Sequence, residues 1–263
     1  MNDREDNASV TSGTYPFGSK LLPVVQTDRS PKRVFVLGVY SSAVHARWVS
    51  PAGKTYIKAL AVASEPFIFW DGSNAQSIID AIDVPGLAGR LVAAEPKFNG
   101  PSGRSLDEDF LGPLSIRRKD AWLCDLVPHT CMNAGQLAAI RREYEPRRRS
   151  CGLPEVMLPL VPKTFADDRR RAEVLAELEE SKAEIVVLLG DQPIQHFLTH
   201  HEPSWRWLHD FEGYGRLHPA TIGGRRYQVL PLAHPRQVSG LGTHSGEWRK
   251  RHNAWKRTAR LGD

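Results

Sequence analysis

At 263 residues, with 35 Lys+Arg against 30 Asp+Glu, a net charge of +5 and a pI of about 9.2, the chain has room for one substantial α/β core. Its three cysteines, Cys124, Cys131 and Cys151, form no C-x-x-C pair, which argues against a disulfide framework or a four-cysteine cluster site. No run approaches a membrane span and the first residues carry early acidic side chains rather than a signal-like apolar stretch, so the expectation is a soluble, cytoplasmic protein.

Residues 1–30 are polar, rich in Ser, Asp, Asn and Thr, and read as a flexible N-terminal arm ahead of a single domain over 31–263. Four short continuous apolar runs follow at wide spacing, at 33–37, 121–124, 185–189 and 227–232. Such runs predict buried parallel strands rather than amphipathic edges. Helical patterns fall between them at 74–82, 135–144, 167–182 and 191–198, and a basic pattern at 246–260 closes the chain. Alternation of this kind predicts an α/β fold with a central, mainly parallel four-stranded sheet covered on both faces. The Pro- and Gly-dense segment 84–114 reads as a surface excursion, and Gly223-Gly224 as a hairpin turn before the last strand.

In open parallel sheets ligands bind beyond the carboxyl ends of the strands. Here the four runs end in Gly38-Val39-Tyr40-Ser41-Ser42, Asp125-Leu126-Val127-Pro128-His129, Gly190-Asp191-Gln192-Pro193 and Ala233-His234-Pro235. The last of these is the most informative. It sets a histidine at the exit of an apolar strand, in a loop stiffened by Pro235 and loosened by Gly240, with Arg249, Lys250 and Arg251 close behind. Several basic clusters, including Arg147-Arg148-Arg149 and Arg169-Arg170-Arg171, add to the case for a polyanion partner.

The order of these segments resembles the uracil-DNA glycosylase superfamily, over roughly residues 32–257 and most strongly in the last loop. That resemblance implies a three-layer α/β/α sandwich that flips a nucleotide out of DNA and hydrolyses its N-glycosidic bond without a cofactor or metal. Carried over by position, His234 is the histidine that stabilises negative charge on the departing base, and Asp125 stands where the family keeps a base-reading Asn. Gly38, Tyr40 and Ser41 match the first pocket loop, with Phe67 or Phe69 as the stacking aromatic. Val238 matches the apolar wedge, and Ser239, His244 and Ser245 match the phosphate-gripping positions; Arg236, Arg249 and Lys250 are read from their charge as further DNA contacts.

Departures from the pattern bear on substrate. Tyr40 replaces the usual water-orienting acid, leaving His45 and Asp71 as weak substitutes. An ionised Asp125 offers only acceptors, which suits the N4 amino group of cytosine and opposes O4 of uracil. Small Ser41, Ser42 and Ala43 open the space that would otherwise guard the pyrimidine 5-position. The expectation is a monofunctional glycosylase acting on a 5-substituted cytosine, with antiviral defence as a role. The alternatives are a uracil-DNA glycosylase of base-excision repair, a non-catalytic reader of modified or damaged DNA, or an α/β enzyme acting on a free nucleotide.

Other features carry bland readings beside functional ones. Asn133 is either a base reader or the cap of the helix that follows. His129 is structural or phosphate-facing. His196, His200 and His201 lack the carboxylate partner of a zinc motif, and Trp205, Trp207, Trp248 and Trp255 are stacking candidates that burial would remove.

Overall fold

The apolar runs become strands, and each begins within two residues of where the sequence places it. The structure is a computed structural model that describes residues 13–240 and 244–260. Strand β1 (Val34–Tyr40) leads directly into an antiparallel pair, β2 (Ala43–Val49) and β3 (Thr55–Ser64). A short helix α1 (Ala75–Asp80), strand β4 (Arg90–Ala93) and helix α2 (Pro101–Ser105) follow, and α2 runs on into a π-helical segment over Leu106–Leu111. Then come β5 (Ala121–Val127), α3 (Ala134–Ala139) with a π-helical extension, α4 (Glu145–Arg148) and α5 (Asp168–Ser181). The chain ends with β6 (Ile185–Leu189), α6 (Asp191–His196), β7 (His218–Ile222), β8 (Arg225–Leu232), α7 (Pro235–Val238) and α8 (Ser245–Lys256).

The large sheet has the order β5-β1-β6-β8-β7. Its first four strands are parallel, with Val36 in register with Leu123 on one side and Val187 on the other. These four are the predicted runs. The expected four-stranded sheet is corrected by a fifth strand, β7, which pairs antiparallel with β8 through the turn at Gly223-Gly224. Its residues alternate between buried and exposed, so it is an edge strand, and a search for continuous apolar runs passes over it. Pro219 fits such an edge, where a missing N–H is tolerated.

A second, antiparallel sheet of order β3-β2-β4 packs its own core around Trp48, Leu60, Val62, Trp70 and Tyr144. Two further expectations are corrected here. The 84–114 segment is no surface excursion: Leu106, Phe110 and Leu111 are buried in the main core, and Pro101 occupies the first turn of α2, where its absent N–H costs nothing. The arm expected over residues 1–30 packs down from residue 14 onward. Tyr15, Phe17, Leu21 and Val24 are buried, and the Phe17 amide donates to the Tyr144 hydroxyl at 3.1 Å. Residues 1–12 lie outside the described residues.

Helix α5 is capped by Asp167, which accepts from the Arg170 amide at 2.8 Å, and buries Val174 and Leu178 against β5 and β1. Helix α8 buries Trp248, His252 and Trp255, one face of successive turns, and leaves its cations outside. No helix among the described residues is long and apolar enough to cross a membrane.

Candidate functional site

Four parallel strands deliver their carboxyl ends to one side of the sheet, and a cavity of about 480 Å³ opens there. Asp125 and His234 both line it. Asp125 is the fifth residue of β5 and is 4% exposed. The Ser41 hydroxyl donates to its Oδ2 at 3.3 Å, while the Arg170 guanidinium, itself paired with Glu173 and Glu177, donates to its backbone carbonyl at 2.7 Å. Burial pushes the Asp125 carboxyl up to about 7, offset in part by the Ser41 hydrogen bond and the Arg170 charge. It therefore holds a proton for a substantial fraction of the time near neutrality.

Gly38 makes this placement feasible. It sits in register with Asp125 across β1 and β5. A side-chain carbon at Gly38 would lie 2.3 Å from Asp125 Oδ1 and 2.7 Å from the Phe69 ring. No residue with a Cβ fits there without displacing one of them. Phe69 is buried on the cavity wall and holds a left-handed φ of 53°, uncommon for a bulky side chain and costing about 1–3 kcal/mol. That turn aims its ring inward. Phe67, two residues earlier, is corrected: it is 41% exposed, lies beside the Arg118 guanidinium and takes no part in the cavity.

His234 follows β8 and caps α7. Its Nδ1 accepts the Arg236 amide at 3.1 Å, and its own amide is met by the Gln237 side chain at 3.3 Å. An accepting Nδ1 leaves the single hydrogen of a neutral imidazole on Nε2. Burial, and then the Arg236 charge, push the ring down to about 4, so the neutral form prevails at physiological pH. Gly190, at the end of β6 with φ 87°, passes the His234 Cβ closely enough that a side chain there would approach it to 3.0 Å.

Tyr40 also lines the cavity, but its ring stacks on Phe165 at 6.3 Å, and burial raises its phenol further above the range of a useful base. The substitutes for a water-orienting acid are corrected as well. His45 is half-buried on β2 with Nε2 3.1 Å from the Gln136 amide, and Asp71 closes a turn with the Ser73 amide at 2.9 Å; neither lines the cavity. Asn133 is a helix cap, accepting from the Gln136 amide at 3.0 Å.

Arg236 and Ser239 border the cavity mouth and are exposed. Val238, expected as a wedge, is corrected: α7 turns it into the main core, where it is 5% exposed. His244 and Ser245 begin α8, and Arg249 and Lys250 stand exposed on it. Among the described residues no carboxylate pairs with Arg236, Arg249 or Lys250, whereas Arg251 is held by Glu247 at 2.7 Å. Trp248 and Trp255 are buried, Trp207 is exposed, and no metal-binding cluster forms among the described His, Cys, Asp and Glu side chains.

The sequence reading missed one ionisable group in the cavity. Glu65 follows the last residue of β3 and is 4% exposed on the cavity wall. Burial, then the charge of Asp125, push it up to about 8, opposed by the backbone amides of Ser42, Trp70 and Phe69. A polar residue at the exit of an apolar strand is the same signal that marks His234. Gln192, Phe165 and the 100–103 turn complete the wall.

Compared in sequence with known protein families and with curated proteins, the chain matches none significantly.

Proposed function

We propose that this protein is a monofunctional DNA glycosylase that takes an extruded base into the cavity and hydrolyses its N-glycosidic bond, leaving an abasic site. One observation carries the reading: Asp125 and His234, brought by different strands of one parallel sheet, line a single cavity bordered by Arg236, which has no carboxylate partner among the described residues. The strand order β5-β1-β6-β8 supports the resemblance to the uracil-DNA glycosylase superfamily and the α/β/α sandwich it implies. Its reduced, unpaired cysteines suit a cytoplasmic setting.

The chemistry follows from the protonation states. As the glycosidic bond stretches, the electron pair moves onto the base and the sugar gains oxocarbenium character. A neutral His234 with hydrogen on Nε2 donates to the pyrimidine O2 as that charge grows, in a buried setting where such a donor counts for about 2.7–4 kcal/mol. Water then adds to the sugar carbon, and the proton it loses passes to the departing base anion, giving the neutral free base and the abasic sugar. No lysine lines the cavity among the described residues, so a Schiff-base strand-cleavage step has no nucleophile here.

Asp125 favours a cytosine edge in either protonation state. Ionised, it accepts from the N4 amino group; protonated, it donates to N3 and still accepts from N4. Uracil fits only the protonated form. Ser42, a small residue on the cavity wall, is assigned to the pyrimidine 5-position, while Ser41 is buried with its hydroxyl on Asp125. Excision of plain cytosine would damage the host genome, so the reading is a 5-substituted cytosine of the kind some bacterial viruses carry, with antiviral defence as the role. A non-catalytic reader of modified or damaged DNA is the second reading, favoured by Tyr40, which puts no acid in the first loop.

Incubation with genomic DNAs of differing base modification, followed by detection of abasic sites and mass measurement of released base, tests both. Release of a modified cytosine supports the enzyme. Preference for uracil overturns the substrate, and tight binding with alkali-stable DNA supports the reader.

A further inference from the structure

The cavity has a floor and a mouth. Arg236 and Ser239 are exposed at the mouth, whereas Asp125 and Glu65 are each 4% exposed. Among the described residues neither carboxyl has a Lys or Arg ion pair; Arg170, whose charge acts on Asp125, is engaged by Glu173, Glu177 and backbone carbonyls. Backbone amides of Ser42, Trp70 and Phe69 lie at the Glu65 carboxyl. Two buried carboxyls without counter-ions form an acceptor-rich surface, and each accepts a hydrogen bond whether or not it carries a proton. Such a floor suits a ligand edge that presents polar hydrogens and penalises one that presents bare methyl groups.

The orientation of the base sets which edge arrives there. A pyrimidine on the Phe69 ring with O2 toward His234 turns its C4 side away from the mouth, and C5 lies beside C4. Asp125 accounts for the N4 amino group. Glu65, on the same cavity wall as Ser42, is the second buried carboxyl there and is left to serve whatever adjoins C4. At about 480 Å³ the cavity lies within the range that encloses whole small-molecule ligands, larger than a bare pyrimidine requires.

We propose that Glu65 is a specificity-determining residue that accepts a hydrogen bond from a hydroxyl on the C5 substituent, so that the preferred base is a hydroxylated 5-substituted cytosine rather than a 5-alkylated one. This inference rests on the glycosylase reading for the pose of the base but concerns recognition, and it is tested apart from bond cleavage. The experiment uses the full chain and duplexes holding one cytosine, 5-methylcytosine or 5-hydroxymethylcytosine, with binding read by fluorescence anisotropy and release read by abasic-site formation. Wild type is expected to bind the hydroxymethyl duplex about tenfold or more tightly than the methyl duplex, and E65Q and E65A to shrink that ratio toward one. Equal wild-type binding of the two duplexes overturns the inference, and so does an unchanged ratio in folded E65Q. Should neither variant fold, the wild-type ratio decides alone. A retained ratio without base release refutes the glycosylase while leaving this recognition intact, and release with no ratio does the reverse.

Discussion

The Arg236 backbone amide donates to Nδ1 of His234 at 3.1 Å, and that bond decides which ring nitrogen faces the cavity with a hydrogen. A residue of the strand-end loop thereby fixes the tautomer of the residue two positions before it, with no carboxylate partner. On the proposed chemistry, His234→Ala lowers single-turnover base release by about a hundredfold or more, while DNA affinity changes little. Unchanged turnover in that variant removes His234 from the mechanism.

Asp125→Asn exchanges a carboxyl for an amide that gives one donor and one acceptor in any pH range. At pH 8.5, where the wild-type carboxyl is ionised, the ratio of uracil to cytosine-type release is expected to rise by about tenfold or more, measured on otherwise identical duplexes. A ratio that stays put means that Asp125 does not contact the base edge.

Gly38→Ala drives a methyl group toward Asp125 Oδ1 and the Phe69 ring. Overpacking of this kind costs about 1–3 kcal/mol, which for a chain of this size is a fall in melting temperature of roughly 2–10 °C. Base release should fall with it. Calorimetry showing no loss would mean that both neighbours move aside freely.

Stability should respond to pH in opposite senses for the two kinds of buried group. Asp125 and Glu65 rise from ordinary values of 3.8 and 4.5 to about 7 and about 8, so the folded protein binds more protons than the unfolded chain between those limits. Their contribution is lost as pH rises from about 4 toward 8. His234 runs the other way, from 6.5 down to about 4, so its contribution is lost as pH falls through that interval. The charges facing Asp125 are Arg170 and Glu177, and the one facing Glu65 is Asp125. Asp125→Asn should therefore be more stable than wild type at pH 8.5 and lose that advantage toward pH 5, read from melting curves across the range. Parallel curves would count against a raised Asp125.

Arg249→Glu with Lys250→Glu reverses two unpaired charges on α8. Affinity for DNA should drop uniformly across sequences, and the slope of log K against log salt should shrink by about two. Free-base affinity should hold. An unaltered salt slope would place the phosphate backbone elsewhere.

Much of the large sheet is legible in the sequence because its parallel strands are buried on both faces and therefore continuous in hydrophobicity, as in Ile185–Leu189. Helix α5 is legible through Asp167 and the spacing of Val174 and Leu178. Strand β7 and the β2–β3–β4 sheet are not, because strands such as Ala43–Val49 mix His45 and Arg47 with apolar residues and break the continuous apolar run. Asp125, Tyr40 and His234 are findable since each sits at or near the end of such a run. Glu65 is not legible in the same way, because β3 mixes Lys58 with its apolar residues and its end is therefore unmarked in the sequence. Val238 and Phe67 were misplaced for a common reason: chain position says which loop a side chain belongs to, and only the turn of α7 or the left-handed Phe69 backbone says which way it points.

The cavity draws Asp125 and His234 from the large sheet and Glu65 from the tip of the small one. If Glu65 reads the C5 substituent as proposed, that part of the selectivity rides on a different scaffold from bond breaking. Drift in the hairpin can retune which decorated nucleobase is admitted while the imidazole stays where it is, a division that would serve a protein whose targets keep changing their disguise.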